Sequence, residues 1–225
     1  MNWIDFFIAV VLLITVAIGF RQGLFRSIFT LLGLVAATII TFSYADWLAI
    51  QVEGMFNISP SLRYTFCFMA LFLVMVAVLK IISRYFYRMA KLTPLKYPDM
   101  IGGGLLGLFR GVVIVSMIFM MFIFFPAFQQ FNQSVDESVL ASHVRQVVPV
   151  VFNMTISLHP ESGPFVDKIS KGILGSKTEK YAKNPRSLLG KNEVLGFTNK
   201  DIGVLDNIDK YFGETLELAT KDKKD

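Results

Sequence analysis

Residues able to carry chemistry are scarce in this chain. There is one cysteine, Cys67, so no internal disulfide can close. In its apolar surroundings the thiol reads as a small, inert hydrophobe, and it says nothing about the redox state of the compartment. His143 and His159 have no cysteine or carboxylate at ligand spacing, so no metal site is assigned and surface histidines are expected. No GxSxG elbow, HExxH or P-loop occurs, and no serine has an evident base. Paired acid/base carboxylates are missing too. No catalytic residue is assigned, no cofactor is implied, and an enzyme is not expected. Gly102-x-Gly104-x-x-Gly107 matches a dinucleotide fingerprint in letters alone, because no strand precedes it and no acidic ribose partner follows. Charge is also thin, at 17% of residues against roughly 25% in soluble domains.

What fills the chain is apolar sequence, 54% overall and concentrated in residues 1–125. Four runs there approach or exceed the ~20 apolar residues that cross a bilayer core. They cover about 3–20, 27–45, 62–82 and 102–125. The expected fold is an all-α integral membrane protein with four transmembrane helices in two hairpins, an amphipathic helix after the last span, and a polar C-terminal tail. The lipid bilayer is its first partner. The opening MNWID carries Asp5 in place of a basic n-region, so the first run is expected to be a retained span rather than a cleaved signal.

The positive charge is unevenly placed. Residues 126–225 hold 13 basic and 13 acidic side chains, so the whole excess of +5 lies in residues 1–125. There it flanks apolar runs, which argues for membrane orientation and against nucleic acid. Arg21 and Arg26 lie on the first connection, and Arg84, Arg88, Lys91 and Lys96 lie within 83–100. Both stretches are expected to face the cytoplasm. The loop 46–61, with Asp46, Glu53 and no basic residue, then faces outside. Four spans put the N- and C-termini outside the cytoplasm as well. Trp3, Tyr44, Trp47 and Tyr64 fall near the outer interface, as aromatic anchors do. Pro94 and Pro98 break the loop 83–100.

Small residues recur at helical spacing: Gly33, Ala37 and Thr41 in the second run, Gly103, Gly107 and Gly111 in the fourth. Each set makes one smooth stripe, and such stripes let helices pack closely in lipid. Arg110 lies next to the second stripe and needs a polar neighbour or a route to the head groups. Asp5, the one carboxylate inside a run, is shallow enough for hydration at the interface to be the favoured expectation. The alternative pairs it with a polar group of another helix or a passing ion. Gly23-Leu-Phe-Arg26 recurs as Gly107-Leu-Phe-Arg110, a short repeat that would set both arginines at similar cytoplasmic depth.

After the last run, 126–160 is amphipathic. Ser134-Val-Asp-Glu137 has the form of a capping box, and Leu140, Val144, Val147, Val148 and Val151 share a helical face that Pro149 is expected to interrupt or kink. Residues 161–225 read as a polar, partly disordered extension, though Ile202, Leu205, Ile208, Phe212 and Leu216 keep helical spacing.

Trp3-Ile4-Asp5, Gly19-Phe-Arg21-Gln-Gly23-Leu-Phe-Arg26, Gly107-Leu-Phe-Arg110-Gly111 and Ser138-Val-Leu140 together resemble the bacterial colicin V production protein family. The resemblance covers about residues 1–155. Ser27 stands where relatives commonly carry an acid, Asp99-Met100 where they often carry Asp-Arg, and no tryptophan precedes Ser138. The resemblance implies a bacterial cytoplasmic (inner) membrane protein that supports toxin production or export, or envelope homeostasis, as a scaffold or accessory factor. A small membrane transporter or channel subunit is the alternative. Copies of itself or other envelope membrane proteins are the implied partners.

Overall fold

A computed structural model describes residues 3–53, 55, 58–89, 96–125, 135–155, 165–175, 201 and 203–212. Ser134, His159, Ile202, Leu216 and the residues 126–134, 156–164 and 176–200 lie outside these. The described residues fold as helices: α1 (Trp3–Gln51), α2 (Pro60–Met89), α3 (Lys96–Phe124), α4 (Val139–Val144), α5 (Val147–Met154), α6 (Phe165–Leu174) and α7 (203–212).

Three of these helices, α1, α2 and α3, are long and apolar enough to cross a membrane, with window hydropathies of 2.5, 2.6 and 2.3. The first two expected spans share α1, which is two helical stretches joined at Gly23 (φ 75°, ψ 172°). That backbone region is open essentially only to glycine. α2 runs to Met89, beyond the expected end near residue 82. The apolar run stops there, but nothing after it opposes helix until Pro94. α3 starts at Lys96, earlier than the apolar run, because Pro98 falls in the first turn, where its missing N–H is no loss.

The post-span segment is two short helices rather than one. The break falls at Arg145–Gln146, and Pro149 sits harmlessly in the first turn of α5. The cap is Ser138, whose side chain accepts from the Ala141 N–H. With the axis broken, the expected apolar face is not continuous: Val144 and Val148 are buried, while Leu140 is exposed.

The chain divides into two compact units that cut across its linear segments. One holds Met1–Thr38, Phe72–Phe119 and Ser134–Val148; the other holds Ile39–Leu71, Met120–Gln133 and Pro149–Asp225. The first is built on α1 and α3. Thr15, Gly19 and Gly23 of α1 lie against Gly111, Gly107 and Gly103 of α3, so the two run antiparallel. A Cβ on Gly107 would stand 2.5 Å from the Thr15 carbonyl oxygen, and one on Gly19 would collide with the Gly103 carbonyl. The contact is backbone on backbone, the closest approach two helices can make.

The second unit is centred on aromatic rings. Phe42 lies 4.7 Å from Phe68, 4.8 Å from Phe165 and 5.6 Å from Phe152. Phe212 meets Phe165 at 5.6 Å, and Phe124 meets Tyr64 at 5.7 Å. Offset and edge-on rings at such distances add about 0.5–1.5 kcal/mol per pair beyond area burial. The C-terminal extension therefore supplies core: Phe165, Ile169, Ile173, Val204, Leu205, Ile208 and Phe212 are buried. Leu205, Ile208 and Phe212 are three of the positions whose spacing the sequence marks.

Candidate functional site

Among the described residues of the first unit, polar side chains join separate helices at the following places. At the Gly23 elbow the helix is interrupted and backbone donors lose their partners. Asp99, in the first turn of α3, takes one of them: its Oδ1 accepts from the Leu24 N–H at 2.9 Å. The same carboxylate fills the space where a Gly23 side chain would be. About three turns further along α3, Arg110 is buried and donates from Nη1 to Gln22 Oε1 at 3.1 Å. Gln22 and Asp99 thus bracket the elbow from the two sides. Arg21 and Arg26 are exposed. The neighbour that Arg110 needs is an uncharged amide on α1, a partner that carries no charge signal in sequence.

At the N-terminal end of α1, Asp5 is buried and not hydrated as the favoured expectation had it. Its Oδ1 accepts from Ser138 Oγ at 2.6 Å and from the Leu140 N–H at 3.2 Å. Ser138 donates to Asp5 while accepting from Ala141 N, so one hydroxyl caps α4 and fastens it to α1. A carboxylate at the first turn of a short helix also meets the positive end of its dipole. The Ser138-Val-Leu140 element is therefore the receptor for Asp5, which sequence distance concealed.

The third place is Ser116 of α3. Its hydroxyl donates to the Arg145 carbonyl at 3.1 Å and accepts from the Val148 N–H at 3.1 Å. It bridges the break between α4 and α5, and Arg145 turns outward to pair with Asp136 at 2.9 Å.

Of the expected packing residues, Gly103, Gly107 and Gly111 form the seam with α1. Their matching stripe, Thr15, Gly19 and Gly23, has the same spacing. Ala37 and Thr41 are fully buried. Gly33 makes ordinary contact, its would-be Cβ lying 3.7 Å from Leu79 and Ser83. It is not needed for close approach.

In the second unit, Lys168 of α6 pairs with Asp46 at 3.0 Å, and Arg63 faces Glu53 at 3.6 Å. Asp201 accepts from the Ser61 N–H at 3.1 Å, at the start of α2. The Lys168 and Asp201 contacts hold the extension to α1 and to the start of α2.

These arrangements are anchors and caps built from hydroxyl, amide and carboxylate groups against backbone. They fix helices to one another. Neither a curated protein nor a solved structure matches the chain. The family model described as colicin V production protein does match, over residues 4–149, a stretch that takes in the elbow, the glycine seam and the Asp5–Ser138 fastening; the chain belongs to that family.

Proposed function

We propose that this is a protein of the bacterial cytoplasmic membrane that supports toxin production or envelope homeostasis as a non-catalytic scaffold, working with other envelope membrane proteins or with further copies of itself. The observation that carries the proposal is the family match over residues 4–149 laid on three membrane-length apolar helices. Scaffold over carrier is supported by the seam between α1 and α3, where backbone meets backbone and the helices have no slack to part.

On this proposal the membrane is crossed four times. α1 has 49 residues, about 74 Å of helix at ~1.5 Å per residue, more than twice the ~30 Å hydrocarbon core. Its break at Gly23 gives it two crossings, with Arg21 and Arg26 at the turn and on the cytoplasmic side. A periplasm-active reporter joined after Pro160 is expected to be active and one joined after Lys96 silent. The reverse pattern refutes this topology. Purified protein in liposomes is expected to pass no solute while partners co-purify from native membranes; solute flux would favour the transporter or channel alternative.

A further inference from the structure

We infer that the elbow end of the first unit binds the phosphate of an anionic phospholipid, held by Arg26 and Arg110 together. This goes beyond the scaffold role and depends neither on it nor on which side of the membrane the elbow faces. The two arginines end the two copies of Gly-Leu-Phe-Arg, which begin at Gly23 and Gly107. The fold brings those ends to one place. The Arg110 side chain leads back toward the elbow, where Gln22, the residue before Gly23, accepts from it. Arg26 follows Gly23 by three residues, and its charge acts on Arg110. Two guanidinium groups within electrostatic reach of each other, at the end of a membrane-length helix, call for an anion.

No described carboxylate supplies that anion to Arg110. None of the ion pairs among the described residues includes it, and its partner Gln22 is neutral. Asp99, the acid at the elbow, gives its Oδ1 to the Leu24 N–H. A guanidinium carries five N–H donors in a planar fork, and the Gln22 bond uses one. None of the Arg110 nitrogens is both buried and unpartnered, so the rest of the fork opens to the surroundings. Arg26 is exposed. Ser27, the next residue, is buried with its hydroxyl unpartnered, a further donor in the same turn. Two forks and a hydroxyl have the chemistry that holds a phosphate. The source is lipid, because Phe20, Phe25 and Phe29 alternate with the α1 arginines and are 41%, 44% and 40% exposed. Apolar rings interleaved with guanidinium groups belong where hydrocarbon meets head groups.

The full-length protein in detergent should be titrated with phosphatidylglycerol and with phosphatidylcholine, and the retained lipid counted by native mass spectrometry. Wild type is expected to prefer phosphatidylglycerol by about tenfold, the scale of one charge-assisted hydrogen bond. Arg26→Gln, at an exposed position that tolerates the change, should bring the two lipids close to parity. Arg110→Lys keeps the charge but not the fork and should lower the preference by about threefold. Lys80→Gln removes the same charge from an exposed position of α2 outside the pair and should keep the preference. Millimolar inorganic phosphate should leave the bound phosphatidylglycerol in place. Parity in wild type, or a preference undiminished by Arg26→Gln or Arg110→Lys, would overturn the assignment. So would an equal loss in Lys80→Gln, which would show diffuse attraction to positive charge. Release of phosphatidylglycerol by inorganic phosphate would overturn lipid as the occupant.

Discussion

Asp99 accepts a hydrogen bond from the backbone N–H of Leu24 at 2.9 Å, across 75 positions of sequence. The bond closes the gap that Gly23 opens in α1 and fixes the start of α3 to the elbow. Asp99→Ala should leave that donor without its partner and lower stability by about 1–3 kcal/mol, while Asp99→Asn, which keeps an acceptor oxygen, should lose less. Thermal unfolding in detergent, followed by circular dichroism, ranks the two. Equal loss from both would show that charge, not the accepted bond, is what matters.

Gly23→Ala should be worse than an ordinary glycine change. Its φ of 75° disfavours any side chain, and a Cβ would run into the Asp99 carboxyl. The strain alone is about 1–3 kcal/mol. A melting temperature within experimental error of wild type would mean that the elbow relaxes freely.

The seam between α1 and α3 makes a paired prediction. Gly107→Ala puts a methyl 2.5 Å from the Thr15 carbonyl oxygen and must push the helices apart, at about 1–3 kcal/mol. Gly33→Ala meets Leu79 and Ser83 at an ordinary 3.7 Å and should be neutral or stabilising by up to about 1 kcal/mol. Denaturant titration of the two variants side by side checks the contrast, and similar losses would refute the seam as the tighter contact.

The Asp5–Ser138 fastening should show coupling. Asp5→Asn and Ser138→Ala each disturb the same 2.6 Å bond, so the double variant should lose less than the two single losses together, by about 0.5–3 kcal/mol. Simple additivity would mean that α4 is held elsewhere.

Lys168 and Asp46 form a pair with side chains 12% and 7% exposed. Lys168→Met strands a buried carboxylate and should be strongly destabilising, about 3–5 kcal/mol. Adding Asp46→Asn should recover most of that loss. Limited proteolysis of residues beyond 160 reads the effect directly, with rapid cutting in Lys168→Met and near-wild-type resistance in the double variant.

The parts legible in sequence were those written at short range. Gly103, Gly107 and Gly111 announce a packing face by spacing alone, and Leu205, Ile208 and Phe212 announce a helix within a lysine-rich tail. The Thr15, Gly19 and Gly23 stripe carries the same spacing, but it runs out of the first apolar run into the arginine-flanked connection, where Gly23 reads as a turn. Asp5 looked hydrated because depth along one helix says nothing of a hydroxyl that arrives 133 residues later. Arg110 found an amide, and amides carry no charge to betray a pairing. Ser138 caps α4 by accepting from the Ala141 N–H, and the capping box expected at Ser134 lies outside the described residues.

Phe165 and Phe212 lie past the end of the family match, yet they fill the ring cluster around Phe42. A relative that stopped near residue 149 would have a hollow where those two rings stand. It would have to shrink into that hollow, plug it with bulkier neighbours, or borrow aromatic surface from another polypeptide.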